Sequence, residues 1–151
     1  MSDRKQQIAR HFGAAAPTYD RAARIQARIA EQLARDIAAV ARPARILEFG
    51  CGTGNLTRAL TRLFPDAHLI ATDLAPPMAA ACRRRLGARH GYVAMDAEMP
   101  AFAPARFDLV CGNLAAQWFA NPLQAFAALG GLLRPGGVLA LTTLGTDTFQ
   151  E

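Results

Sequence analysis

Ile46-Leu47-Glu48-Phe49-Gly50-Cys51-Gly52-Thr53-Gly54-Asn55 is the stretch that decides the fold. Its apolar beginning reads as a buried strand that ends in a glycine-rich turn and runs into a helix. Three glycines alternate over five residues, with Glu48 two places ahead of the first. The spacing suits a backbone that passes very close to a bound small molecule. A Cβ at Gly50, Gly52 or Gly54 would take the space of that ligand or of the turn itself. An ordinary glycine-rich strand–helix connection would carry the same letters, so the flanking chain has to decide.

Downstream, strand and helix alternate. Arg45 to Phe49 is strand one. A helix follows over 55–64, with Leu56, Leu60 and Leu63 on one face, and Pro65 stops it. Ala67 to Thr72 is strand two, ending in Asp73. Pro76 and Pro77 open a helix through Leu86, as proline does in a first turn. Gly91 to Met95 is strand three, followed by Asp96 and a Pro- and Ala-rich loop over 97–106. Phe107 to Cys111 is strand four, with Gly112-Asn113 at its end. A helix over 120–133 turns Leu123, Phe126, Leu129 and Leu133 inward. Pro135-Gly136-Gly137 makes a tight turn, and Val138 to Leu144 is strand five. Continuous apolar strands in such alternation imply an α/β fold with a parallel sheet covered on both faces. Right-handed crossovers make it doubly wound, and a Rossmann-like sheet of five strands in the order 3-2-1-4-5 is expected.

Upstream lies an N-terminal helical segment. A short helix carrying Ile8 and Phe12 is expected to break at a turn from Gly13 to Pro17. Residues 21–41 form a helix with Ile25, Ile29, Leu33, Ile37 and Val40 on its apolar line. The whole chain, 1–151, reads as a single domain: a helical cap over 1–42 and an α/β core over 43–151.

Apolar residues make up 52% and charged residues 19% of the chain, a globular balance. No apolar run approaches the roughly 20 residues that span a bilayer, so a membrane is not expected and a cytoplasmic setting is. Cys51, Cys82 and Cys111 are odd in number and widely spaced; reduced thiols and no metal are expected. The net charge of +5 is uneven. Residues 1–45 hold nine Lys or Arg against four acids, whereas the remainder balances. A basic segment of this kind steers an acidic partner. His11, His68 and His90 read as surface or loop residues.

Ligands of such sheets bind outside the carboxyl ends of the strands, where the winding reverses. Those ends carry Glu48, Asp73 and Asp96, and the fourth carries Asn113. Three carboxylates suit a nucleoside. Asp73 lies nineteen residues after Gly54, about where an acid meets ribose hydroxyls in a dinucleotide fold. Asp96 could accept from an adenine amine. A nicotinamide dinucleotide and S-adenosylmethionine compete for this pattern, and the dinucleotide fingerprint places its third glycine one residue later.

The GxGxG turn preceded by Glu48, with Asp73 and Asp96 at the next two strand ends, resembles class I S-adenosylmethionine-dependent methyltransferases. The resemblance implies S-adenosylmethionine as cofactor. Glu48, Gly50, Gly52 and Gly54 then cradle its methionine side, and Asp73 and Leu74 hold the ribose. Met78 lies against the adenine, Asp96 and Ala97 cap it, and Asn113 and Leu114 lie under the methionine portion. Tyr19 closes over the cofactor from the N-terminal segment. The fourth strand end, Gly112-Asn113-Leu114-Ala115, lacks the proline and aromatic of enzymes that methylate amino groups of nucleic acids, which counts against a nucleic-acid substrate.

Three further stretches resemble the malonyl-acyl-carrier-protein O-methyltransferases of biotin biosynthesis. They are Phe12-Gly13 through Tyr19-Asp20; Asp73-Leu74-Ala75-Pro76-Pro77-Met78; and Asn113-Leu114-Ala115-Ala116-Gln117-Trp118 with Thr142-Thr143-Leu144. The implied substrate is the free carboxylate of a malonyl group on an acidic acyl carrier protein, with Gln117 and Trp118 as substrate-side candidates. A related small-molecule methyltransferase and a non-catalytic cofactor-binding assembly factor remain alternatives. The resemblance also implies seven strands, so the chain is expected to be truncated after the fifth, leaving Val138-Leu139-Ala140-Leu141 on an uncharged edge prone to association.

Overall fold

The computed structural model describes residues 3–15 and 24–145. Its elements are α1 (Asp3–Ala15), α2 (Arg24–Val40), β1 (Arg45–Phe49), α3 (Asn55–Leu63), β2 (His68–Asp73), α4 (Pro76–Leu86), β3 (Gly91–Ala94), β4 (Phe107–Asn113), a 3₁₀ turn (Ala116–Trp118), α5 (Pro122–Gly131) and β5 (Leu133–Thr142).

The five strands form one parallel sheet, as the alternation predicts, in the expected order β3-β2-β1-β4-β5. β1 is central: Glu48 pairs with Ala71 of β2 and with Cys111 of β4. Successive residues of a strand point to opposite faces, and β1 fills both cores. Ile46 packs with Leu33, Ile37, Leu56, Leu60 and Leu109 on the face of α2 and α3. Leu47 and Phe49 pack with Val110, Leu129 and Leu132 on the face of α5. Truncating any one of the fully buried leucines to alanine costs roughly 2–5 kcal/mol.

Local chemistry explains the boundaries. Pro76 and Pro77 occupy the first turn of α4, and Ala75 ahead of them is extended, as a residue before proline must be. Asn121 caps α5 by accepting from Gln124 N. At the end of the sheet away from the glycine turn, buried Asp108 ties three segments together. Its Oδ2 accepts from Ala44 N and Arg45 N at 2.7 and 2.9 Å, and its Oδ1 meets Arg134 at 2.6 Å.

Four expectations need correction. The turn expected from Gly13 to Pro17 does not start at Gly13: α1 runs through it to Ala15, Gly13 lies against Pro77, and residues 16–17 lie outside the described residues. Ile25 and Val40 are exposed, because the buried stripe of α2 is Ala30, Leu33, Ala34 and Ile37. Leu123 is 84% exposed; α5 turns Ala125 and Leu129 inward, and Leu132 follows them into the core. Pro135-Gly136-Gly137 does not precede β5 but lies within it. Leu133 pairs with Phe107 and Val138 with Leu109, so the intervening residues bow out of register.

Candidate functional site

The winding reverses between β1 and β4, and the glycine turn leaves β1 at that crevice. Gly50, Gly52 and Gly54 all have left-handed φ, at +64°, +54° and +94°. Their surroundings differ. A Cβ on Gly50 would stand 2.4 Å from Ala115 Cβ in the loop after β4. A Cβ on Gly54 would stand 2.8 Å from Cys82 Sγ and 3.0 Å from Leu86 Cδ1 of α4, so Gly54 serves helix packing. A Cβ on Gly52 would meet no protein atom within 4 Å. It would project into a cleft, and Gly52 therefore is the glycine that leaves room for a ligand.

Gly52 is fixed from β2. Its N–H donates to Asp73 Oδ2 at 2.9 Å, and Ala75 N–H donates to Oδ1 at 2.8 Å. Burial raises the Asp73 carboxyl above the ordinary aspartate range, and these two donors oppose that rise.

Two cavities meet at the turn. The smaller, about 350 Å³, is lined by Glu48, Gly50, Gly52, Asn113 and Gln26 among others. Glu48 is buried. Its Oε2 accepts from Thr57 Oγ1 at 2.6 Å, but its Oε1 has no partner among the described residues. Burial drives the Glu48 carboxyl well above the usual glutamate range, the Thr57 hydroxyl opposing. Gln26 of α2 also presents a buried, unpartnered Oε1, and its carbonyl accepts from Asn113 Nδ2 at 3.1 Å. Thr142 of β5 donates to Asn113 Oδ1 at 2.8 Å and accepts from Leu114 N, which holds Leu114 at φ +51°.

The larger cleft, about 780 Å³, runs from the turn past Asp73, Leu74 and Met78 to Asp96 and Ala97. Its far wall is α1, through Lys5, Ile8, Ala9 and Phe12. Lys5 Nζ meets Asp96 Oδ2 at 2.6 Å and also pairs with Glu98. Glu98 is buried, and its Oε1 accepts from Asn121 N at 2.6 Å. Burial works against the Lys5 charge, but hydrogen bonds to Asp96 and Glu98 outweigh it and raise its pKa. For Glu98, burial is likewise outweighed by Lys5 and by backbone donors, and its pKa falls.

The structure thus brings Glu48, Gly50, Gly52, Asp73, Leu74, Met78, Asp96, Ala97, Asn113 and Leu114 to the two cavities. Gly54 borders neither. Trp118 lines the larger cleft and is 43% exposed, with Phe12 edge-on to it at 5.3 Å. Gln117 borders neither cavity; its Nε2 donates to Leu114 O. Tyr19 lies outside the described residues. Sequence reasoning missed Lys5, Glu98 and Thr57. A lysine in a short helix gives no local signal of a contact ninety-one residues away.

The profile of the methyltransferase domain family matches residues 47–141, from β1 to β5. The chain is 47% identical over 95% of its length to the biotin biosynthesis bifunctional protein BioCD of Bordetella avium, and covers 31% of it. It is 42% identical over 97% of its length to the malonyl-[acyl-carrier protein] O-methyltransferase of Dechloromonas aromatica, covering 54% of that protein. The corresponding enzyme of Magnetococcus marinus is 37% identical over 99% of the chain, which spans 56% of it. The chain therefore spans about half or less of these curated relatives. Among solved structures, the plantazolicin methyltransferase BpumL, crystallised with a monoazolic desmethylPZN analog and SAH, superposes with a TM-score of 0.75 at 15% identity, over 95% of this chain and 63% of that one. Streptomyces venezuelae DesVI gives 0.68 at 23% identity, over 81% and 54%. The match from β1 to β5, on a sheet wound as these neighbours are, makes this chain a member of the methyltransferase domain family.

Proposed function

We propose that this chain is the cofactor-binding part of an S-adenosylmethionine-dependent O-methyltransferase that esterifies the free carboxylate of a malonyl group on an acyl carrier protein, a step of biotin biosynthesis. One observation carries the cofactor reading. Two buried oxygens without partners among the described residues, Glu48 Oε1 and Gln26 Oε1, belong to the cavity beside Gly52, the glycine of the turn whose missing Cβ leaves open space. Acceptors of this kind fit a cationic ligand end, because a buried unpaired acceptor is costly until a donor arrives.

When bound, S-adenosylmethionine supplies an electrophilic methyl carbon on a sulfonium sulfur. Glu48 and Gln26 would hold its cationic amino-acid end, and Asp73 its ribose. Met78, Ala97 and Asp96 would hold its base. Asn113 and Leu114, fixed by Thr142, would floor the cleft, and Tyr19 is proposed to close over it. Gln117 and Trp118 are the proposed substrate-side residues.

A carboxylate nucleophile is already ionised at neutral pH, so the site needs no general base. It needs alignment and exclusion of water, and alignment alone supplies roughly 7–11 kcal/mol of barrier reduction. The relatives named as malonyl-[acyl-carrier protein] O-methyltransferases support this acceptor. An acyl carrier would be acidic, and Arg24 and Arg28 are exposed on α2. The acid Glu31 on the same helix is already taken by Arg58 and Arg62, which leaves the arginines to steer the carrier.

The test is transfer of labelled methyl from S-adenosylmethionine to malonyl-acyl carrier protein by this chain and by longer versions of it, alongside calorimetric cofactor binding. Labelled ester is the expected product. Binding without transfer by any version would favour a non-catalytic cofactor-binding module.

A further inference from the structure

α1 borders the nucleoside end of the larger cleft and is fastened at both of its ends. Near its start, Lys5 Nζ sits between Asp96 and Glu98, with side chains 13%, 22% and 6% exposed. Near its end, Phe12 stands edge-on to Trp118, and Gly13 is so close to Pro77 that a Cβ would lie 3.2 Å from its ring. Between them, Ile8 and Ala9 supply apolar wall.

The three charged groups have unequal obligations. Glu98 keeps a backbone donor, Asn121 N, whether or not Lys5 is there. Asp96 Oδ1 accepts from Glu98 N. Asp96 Oδ2 has Lys5, and it belongs to the carboxylate proposed to receive the exocyclic amine of the base. Ligand and helix therefore address one carboxylate. An ion pair this sheltered is costly to open, since removing one partner leaves charge buried.

We infer that Lys5 is a positioning residue that latches α1 over the nucleoside end of the cleft, so that nucleoside exchange follows opening of its pairing with Asp96 and Glu98. This rests on the cofactor reading above. Trp118 is the sole tryptophan and touches both α1 and the cleft, so its fluorescence reports the event.

The experiment is stopped-flow release of S-adenosylhomocysteine from wild type, Lys5→Met and Lys5→Arg, followed by Trp118 emission. Lys5→Met should release about tenfold faster, a change of about 1.4 kcal/mol in the barrier. Wild-type release should quicken between about 50 and about 500 mM salt, and Lys5→Met release should not. Lys5→Arg should stay within about threefold of wild type, since it keeps the charge. A second measurement needs no variant: amide exchange across residues 3–15 of wild type should slow when S-adenosylhomocysteine binds. Release from Lys5→Met within about twofold of wild type, or unchanged exchange in α1, overturns the latch. Failure of the wild type to bind S-adenosylhomocysteine at all would instead overturn the cofactor reading.

Discussion

The two ends of the cleft are built on opposite plans. At the small cavity, Glu48 Oε1 and Gln26 Oε1 are buried and unpartnered. At the large one, Asp73 already accepts from Gly52 N and Ala75 N, and Asp96 and Glu98 already hold Lys5. One end keeps open valences that only a ligand fills. The other keeps its carboxylates paired, and a ligand there must add to or exchange with internal partners. Open valences favour tight capture at a cost to the empty protein. Paired carboxylates favour rigidity and make exchange a matter of breaking contacts.

Substitutions at the turn test this contrast most severely. Gly52→Val should abolish binding of S-adenosylhomocysteine by calorimetry while the chain stays folded by circular dichroism. The left-handed backbone costs such a residue about 1–2 kcal/mol, well short of unfolding a domain. Binding retained by Gly52→Val would remove the cradle.

Glu48→Gln should weaken binding by about tenfold to a hundredfold, as loss of a buried charge partner does. The same variant should melt higher than wild type when empty. Burial raises the Glu48 pKa above its unfolded value, so its contribution to stability is full below about pH 4 and is lost as pH rises through the folded pKa. Gln has no charge to bury. The gain in melting temperature should therefore be clear at about pH 8 and shrink toward about pH 4. A variant that melts lower at both values would show that this end is not strained.

Gly54→Ala should separate packing from binding. Its Cβ presses on Cys82 and Leu86, so stability should fall by about 1–3 kcal/mol in denaturant titration. Affinity of the folded fraction should change by less than about threefold. Last and smallest, Leu123→Lys on exposed α5 should shift stability by no more than about 0.5 kcal/mol, and a larger loss would put that face in contact with something.

Much of the core was legible because its signals are local. Alternating strands and helices, Pro76-Pro77 and the glycine turn each dictate backbone geometry over a few residues, and right-handed crossovers make the sheet doubly wound. Helix faces were less legible. Large apolar residues suggested Ile25 and Val40 for the face of α2, but Ala30 and Ala34 are buried there, where α2 meets α3. Small residues that permit close approach carry little hydrophobic signal. The strand-end acids of the site were legible by position. Lys5 and Glu98 were not, since their roles depend on which helix comes to rest over the cleft.

The contact between Gly50 and Ala115 has a consequence for how this sequence can change over generations. The two positions lie sixty-five apart in the chain, yet their β-carbons would compete for one volume. Loss of the methyl at 115 would free the space, but the left-handed backbone at 50 would still penalise any side chain. Neither step is rewarded alone, and even the pair leaves strain behind. Gly50 is therefore held twice, by the Ala115 methyl and by its own left-handed backbone, so substitution at Ala115 alone does not release it.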